Sequence, residues 1–198
     1  MVTGSRIAMK AQQEELGDLK LYAIPEPVTV AAKSQKQVAM IEQRGVKVEL
    51  VYRSRLSAGN AEDGVATRTL VTRNRVADGL GIALPAGGVV LFANRGAEPI
   101  LIGGGSLDDK AVGEDVAIAV GNAPGVQVSQ VVLDRGMVEL TVSNESPTLI
   151  RYEATIFANN RKLESRTRLG RRDGAPLWVV TVPANDRATL RYRYRPGG

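Results

Sequence analysis

The sequence predicts an all-β protein built as two β-sandwich-like domains, the second immunoglobulin-like, behind a short N-terminal tail that is helical or disordered. Three observations predict it. Apolar residues recur at every second position, as in Val46-Lys-Val-Glu-Leu-Val-Tyr52, where Val46, Val48, Leu50 and Tyr52 share a face and Lys47 and Glu49 take the other. Turn formers return at a spacing of about 8–12 residues, the rhythm of short antiparallel strands. Aromatic residues make up only 4% of the chain, so its core must be Val, Leu, Ile and Ala, which suit thin sandwiches of β-branched strands.

The elements follow in order. Residues 5–16 (Ser-Arg-Ile-Ala-Met-Lys-Ala-Gln-Gln-Glu-Glu-Leu) are the one stretch with helical character, with Ser5 as a cap and Gly17 as a stop. Its apolar positions are too few for a stripe, so residues 1–17 are set apart as a tail or helix remnant. A first β domain is expected over 18–121, with strands at Gln37–Ile41, Val46–Tyr52, Val65–Val76, Gly88–Ala93, Ile100–Gly103 and Val116–Val120. Asn60-Ala-Glu-Asp-Gly64, Leu84-Pro-Ala-Gly-Gly88 and Gly103-Gly-Gly-Ser106 separate them as turns. The cluster Gly121-Asn-Ala-Pro-Gly125 marks the boundary to an immunoglobulin-like domain over 122–198. There Val126–Leu133 and Met137–Val142 flank the hairpin signal Asp134-Arg-Gly136. Ile150–Ala158, Arg166–Arg171, Leu177–Val182 and Ala188–Arg195 supply the remaining strands, punctuated by Asn159-Asn160, Asp173-Gly174 and Pro183-Ala-Asn-Asp186.

Several of these segments carry a resemblance. Leu21-Tyr-Ala-Ile-Pro-Glu-Pro-Val28, Ser34-Gln-Lys-Gln-Val38 and Gly45-Val-Lys-Val-Glu-Leu-Val-Tyr52 open it. Gly79-Leu-Gly-Ile-Ala-Leu-Pro-Ala-Gly87 and Val112-Gly-Glu-Asp115 continue it, and Val182-Pro-Ala-Asn-Asp-Arg-Ala-Thr-Leu190 closes it. The chain thus resembles the uncharacterised C-terminal domain of mucoidy-inhibitor-like bacterial envelope proteins over residues 17 to 196. The resemblance implies a portion of a larger, exported protein of the periplasm or cell envelope, and it brings no catalytic residue. The Leu84-Pro-Ala-Gly87 part reads physically as a turn in which Pro85 sets φ and Gly87 takes a positive one. The first residues hold no apolar run of signal-peptide length, which leaves the chain open to being either cytosolic or the later portion of a longer exported precursor. No stretch of 18 apolar residues occurs that would span a membrane as a helix.

Composition narrows the chemistry. With no cysteine and no histidine, disulfides, thiolate zinc sites, redox thiols and imidazole bases are excluded together. Serine catalysis would need a lysine base, and no Ser-x-x-Lys is present. Glu139, Glu153 and Glu164 are the carboxylates that folding could pair for hydrolysis, although they sit on strands whose outer faces alternate charges. Neither glycine run, Gly79-Leu-Gly81 nor Gly103-Gly-Gly105, is followed by the Gly-Lys-Ser/Thr of a phosphate loop; both read as turns. The expectation is a non-enzymatic module without a cofactor. Asp108, Asp109, Glu114 and Asp115 form a weak calcium candidate, because calcium takes six to eight oxygens but the spacing matches no EF-hand.

Charge is uneven. Residues 1–120 carry 14 basic and 14 acidic side chains, residues 121–198 carry 12 and 7, so the second part supplies the whole net charge of +5. In Leu190-Arg-Tyr-Arg-Tyr-Arg195, alternation puts Arg191, Arg193 and Arg195 on one face and Leu190, Tyr192 and Tyr194 on the other. With Arg166, Arg168, Arg171 and Arg172 they form a candidate basic face for anionic polysaccharide or lipid headgroups. Single-stranded nucleic acid is disfavoured, since stacking needs aromatic rings beside the cations. The simpler expectation is a solvated face with cross-strand acidic partners such as Glu139 or Glu153, and a protein as the partner of the whole chain. Trp178 is expected as a core anchor rather than an exposed sugar platform, and Asn144-Glu-Ser146 as a turn rather than a glycosylation acceptor.

Overall fold

The computed structural model describes residues 12–16, 19–23, 29–30, 40–96, 98–158 and 161–196. The chain divides into two compact units, Met1–Val46 and Lys47–Gly198. In the first unit β1 (Gln12–Leu16) pairs antiparallel with β2 (Leu19–Ala23), in a register that sets Leu16 opposite Leu19. Residues 12–16 are therefore a strand and not the end of a helix, because a neighbouring segment can satisfy their backbone groups whereas their weak apolar stripe could not anchor a helix. Residues 5–11 of the expected helix and 37–39 of the expected strand at 37–41 lie outside the described residues.

The second unit is almost wholly β. Its strands are β3 (Glu49–Ser57), β4 (Glu62–Arg73), β5 (Gly87–Arg95), β6 (Glu98–Leu107), β7 (Asp115–Val132), β8 (Met137–Asn144), β9 (Ile150–Phe157), β10 (Arg161–Ser165), β11 (Gly170–Arg172), β12 (Ala175–Val182) and β13 (Asp186–Pro196). Nine of them form one sheet in the order β10-β13-β8-β7-β4-β3-β9-β12-β11. The expected separation into two sandwiches is replaced by interleaving: β3 runs parallel to β9, with Val51 opposite Arg151, and β4 pairs with β7. A parallel pair between residues about a hundred apart has no local signature, which is why periodicity cannot reveal it.

The Gly121–Gly125 cluster, expected as a boundary, lies inside β7. There the ladder with β4 slips, pairing Val65 with Gln127 but Ala66 with Ala123. Pro124 cannot donate to a ladder and the glycines tolerate sharp bends, so the same residues that could end a domain instead make a bulge that bends a long strand. The bend helps the sheet to curl around one core. Tyr52 and Leu56 of β3, with Ala58 just after it, meet Val126 and Val128 of β7, Val138, Leu140 and Val142 of β8, and Leu190 and Tyr192 of β13. Ile150, Tyr152, Ala154 and Ile156 of β9 and Trp178 and Val182 of β12 close the other side. The Trp178 ring meets Tyr152 edge-on at 5.9 Å, which confirms it as a core anchor. The two sheet edges, β10 and β11, are joined by residues 166–169 alone, a reach of at most about 18 Å. The expected strand at 166–171 is mostly this crossover.

Buried amides tie the two arms of the curl together. Asn144 at the end of β8 donates to the Pro183 and Thr148 carbonyls at 2.8 Å, and its oxygen accepts from the Ser146 backbone N–H and hydroxyl. That side chain is enclosed and fully partnered, which leaves it no role as a glycan acceptor. At the other end Gln130 donates to the carbonyls of Ser57 and Asn60, at 2.8 and 2.6 Å, and accepts the Tyr192 hydroxyl at 2.9 Å.

β5 and β6 form a separate two-stranded sheet lying against β7. Gly103-Gly-Gly105 is part of β6 and not a turn, since Gly103 and Gly105 let the β7 backbone approach: a Cβ on Gly103 would stand 2.6 Å from the Val120 carbonyl oxygen. Gly87 opens β5 without a positive φ; the left-handed glycines of that segment are Gly79 and Gly81, at 85° and 90°.

Candidate binding surfaces

The β13 stripe alternates as its sequence predicts. Tyr192 is buried and Tyr194 packs against the core, while Arg191, Arg193 and Arg195 point outward. Strand register puts Arg191 opposite Glu139, and its Nε donates to that carboxylate at 2.6 Å. Arg195 lies 3.5 Å from Glu164 of β10. The seven arginines of the candidate basic face do not form one surface. Arg166, Arg191 and Arg193, joined by Arg187, line an open groove of about 1100 Å³ on the outer side of β8, β13 and β10. Arg193 is the deepest, its Nε buried without a partner. Arg168 is exposed in the crossover, and Arg171 donates to the Gly174 carbonyl at 2.9 Å. Arg172 belongs to the other arm of the sheet, because the tight Asp173-Gly174 hairpin (φ 49° and 79°) turns it toward β9.

The acidic loop does not assemble. Asp109 accepts the Ala86 N–H at 2.7 Å, Glu114 accepts the Ala111 N–H at 2.6 Å, and Asp115 lies 3.3 Å from Arg73. The carboxylates brace separate turns, and no group of three metal-ligating side chains occurs among the described residues. Asn74, which the sequence reading passed over, organises this region from a buried position: it donates to the carbonyls of Ile82 and Ala111, at 2.6 and 2.9 Å, and accepts the Gly81 N–H.

Glu139, Glu153 and Glu164 each meet arginine rather than one another. Glu153 is the unusual member, a carboxylate only 2% exposed on the outward side of β9. Arg53 Nε and Arg172 Nη2 donate to it at 2.8 and 2.6 Å, and Arg151 lies 3.1 Å away. Burial alone would push its carboxyl up; the hydrogen bonds from Arg172 and Arg53 and their charges outweigh that and hold it below the ordinary carboxylate range. Beside it Arg55 rests over the Phe157 ring at 5.0 Å. A charged residue flanked by strand-formers gives no sequence sign of burial, and its two hydrogen-bond donors lie on β3 and β11, 100 and 19 residues away in the chain.

A second missed feature is the outward face of the β5–β6 hairpin. Val90, Phe92 and Leu101 are 60, 56 and 62% exposed, and Ile100 and Ile102, which flank Leu101 along β6, are exposed as well. Register sets Phe92 opposite Leu101, so their side chains share a face. The sequence pattern marks these segments as strands, but only the three-dimensional arrangement shows that nothing among the described residues covers this face.

These features define a β-rich protein with one curled sheet, a small apolar hairpin sheet and an open arginine-lined groove. Comparison of the chain with family models, with curated proteins and with solved structures finds no match. Among the described residues no helix is long and apolar enough to cross a membrane.

Proposed function

We propose that the chain is a non-enzymatic protein-interaction module, a portion of a larger cell-envelope protein, that docks a partner protein through the β5–β6 hairpin. The observation that carries this reading is the apolar face of Val90, Phe92 and Leu101 on a two-stranded sheet. Contiguous exposed aliphatic and aromatic side chains cost solubility and mark contact surfaces, and the outer edges of β5 and β6 offer backbone groups for strand addition. The turn and strand segments from Leu21 to Leu190 that resemble an envelope-protein domain support the larger context. The immunoglobulin-like reading of the curled sheet is supported by two arms facing across one core with Trp178 inside.

The test is a photo-crosslinking side chain placed at Phe92 or Leu101 in the producing cells, with exposed Thr181 as control. Discrete protein adducts from the hairpin positions alone support the reading; adducts from none, or equally from Thr181, overturn it. Catalytic turnover that a single Asp or Glu substitution abolishes would overturn the non-enzymatic part.

The groove lined by Arg166, Arg187, Arg191 and Arg193 favours a second reading, a binding face for anionic glycan or lipid headgroups. Threonines 141 and 189 lie between the guanidinium groups, whereas the tyrosine rings of β13 turn inward, which suits sulfate or carboxylate groups better than stacked bases. Retention on heparin at low salt, lost on changing Arg191 and Arg193 to Ser, tests it. Absence of retention at low salt removes it.

A further inference from the structure

The structure assigns a second recess, where β3 and β4 part, as a site for a small organic acid that carries an apolar group; this goes beyond the interaction reading and does not depend on it. The antiparallel ladder between β3 and β4 ends at Arg53 opposite Thr67. Beyond that point β3 stays with β9 as far as Ser57 opposite Phe157, while β4 stays with β7 as far as Glu62 opposite Gln130. The strands leave a cleft of about 620 Å³ between the arms of the sheet, a size within the ordinary range of small-molecule sites.

The cleft has two chemically different parts. Leu56 and Val128, both core residues and from opposite arms, line it together with Val65, so it reaches the apolar interior. Arg53, Arg55 and Arg172 line it as well. Glu153 takes Nε of Arg53 and one terminal nitrogen of Arg172, which fixes both guanidinium groups and leaves their other N–H donors to a ligand. Arg55 is held over Phe157, and among the described residues no carboxylate pairs with it. Preorganised guanidinium groups lose little entropy on binding, and their fork geometry matches a carboxylate. Glu62 and Asp173 at the lining disfavour a dianion more than a monoanion, and the apolar residues add nothing for inorganic phosphate. A monocarboxylate with a short aliphatic or aryl group meets both parts.

Octanoate is the probe, titrated against the full chain by calorimetry and thermal shift, with octanamide and inorganic phosphate as comparisons. Octanoate should bind saturably and raise the melting temperature, octanamide should not, and affinity should fall with salt. Arg55→Gln should weaken octanoate about tenfold or more while lowering the unliganded melting temperature by no more than about 4 °C, since Arg55 lies outside the Glu153 hydrogen bonds and gives up only its contact with Phe157. Arg187→Gln in the other groove should bind like wild type. No binding of octanoate up to about 10 mM, equal binding by Arg55→Gln, or equal binding of octanamide would overturn the assignment. Phosphate binding as tightly as octanoate would overturn its apolar half.

Discussion

Replacing Glu153 by Gln removes one negative charge from beneath three guanidinium groups and keeps the shape of the side chain. The carboxylate is 2% exposed, with Arg53 at 2.8 Å and Arg172 at 2.6 Å. Breaking a buried ion pair by removing one partner costs about 3–5 kcal/mol. Here Arg53, Arg172 and Arg151 keep 24, 29 and 44% of their side-chain surface, so water recovers part of the loss. We expect a destabilisation of about 2–4 kcal/mol, equivalent to a fall of about 5–15 °C in melting temperature for a domain of this size. The folded carboxyl lies below its ordinary value of 4.5, so its stabilisation is whole above that value and is lost as pH falls through the folded pKa. Thermal denaturation followed by circular dichroism should therefore show the full difference between wild type and variant at neutral pH and a shrinking one in acid. Equal melting temperatures at neutral pH, or a difference that does not change in acid, would refute the argument that the arginines hold a charged Glu153.

Three further outcomes test the fold. Gln130→Leu leaves the Tyr192 hydroxyl and the Ser57 and Asn60 carbonyls without their partner and should cost about 2–4 kcal/mol by denaturant titration; a loss under about 0.5 kcal/mol would deny the amide its clamping role. Gly103→Ala drives a methyl group toward the Val120 carbonyl, so hydrogen exchange should rise across Val89–Leu107 while β8 and β13 stay protected; unchanged exchange in the hairpin would contradict the close approach. Burial pushes Tyr152 and Tyr192 up to about 12 from 10.0, a preference for the neutral phenol that stabilises the fold below pH 10 and is lost as pH rises through 12. Ultraviolet titration should show a late ionisation at the alkaline unfolding transition that Tyr152→Phe and Tyr192→Phe each diminish; absence of any late step would count against their enclosure.

Much of the fold is legible because it is local. The alternation in Leu190–Arg195 correctly sends Tyr192 inward and Arg191 outward, and the cross-strand match of Arg191 to Glu139 follows once β13 and β8 are neighbours. Asp134-Arg-Gly136 and Asp173-Gly174 make hairpins because turn chemistry acts within a few residues. What fails is any inference that needs a partner. The Gly121–Gly125 cluster carries the same signal whether it ends a domain or bends a strand, and only the presence of β4 beside it, with β8 joining from Val126 onward, decides for the bend. Gly103–Gly105 reads as a turn until β7 lies across it.

The order of residues along the chain determined that the protein is predominantly β, the inward and outward faces of strands such as β8 and β13, and the exclusion of thiol and imidazole chemistry, because each depends on residue type and on a period of two. Tertiary structure alone decided that β3 and β9 run side by side, that Glu153 is buried under arginines from β3, β9 and β11, and that β5–β6 turns an apolar face outward. Those arrangements arise from contacts between residues tens to a hundred positions apart, whose free energy comes from the burial they achieve together and leaves no mark on any one segment.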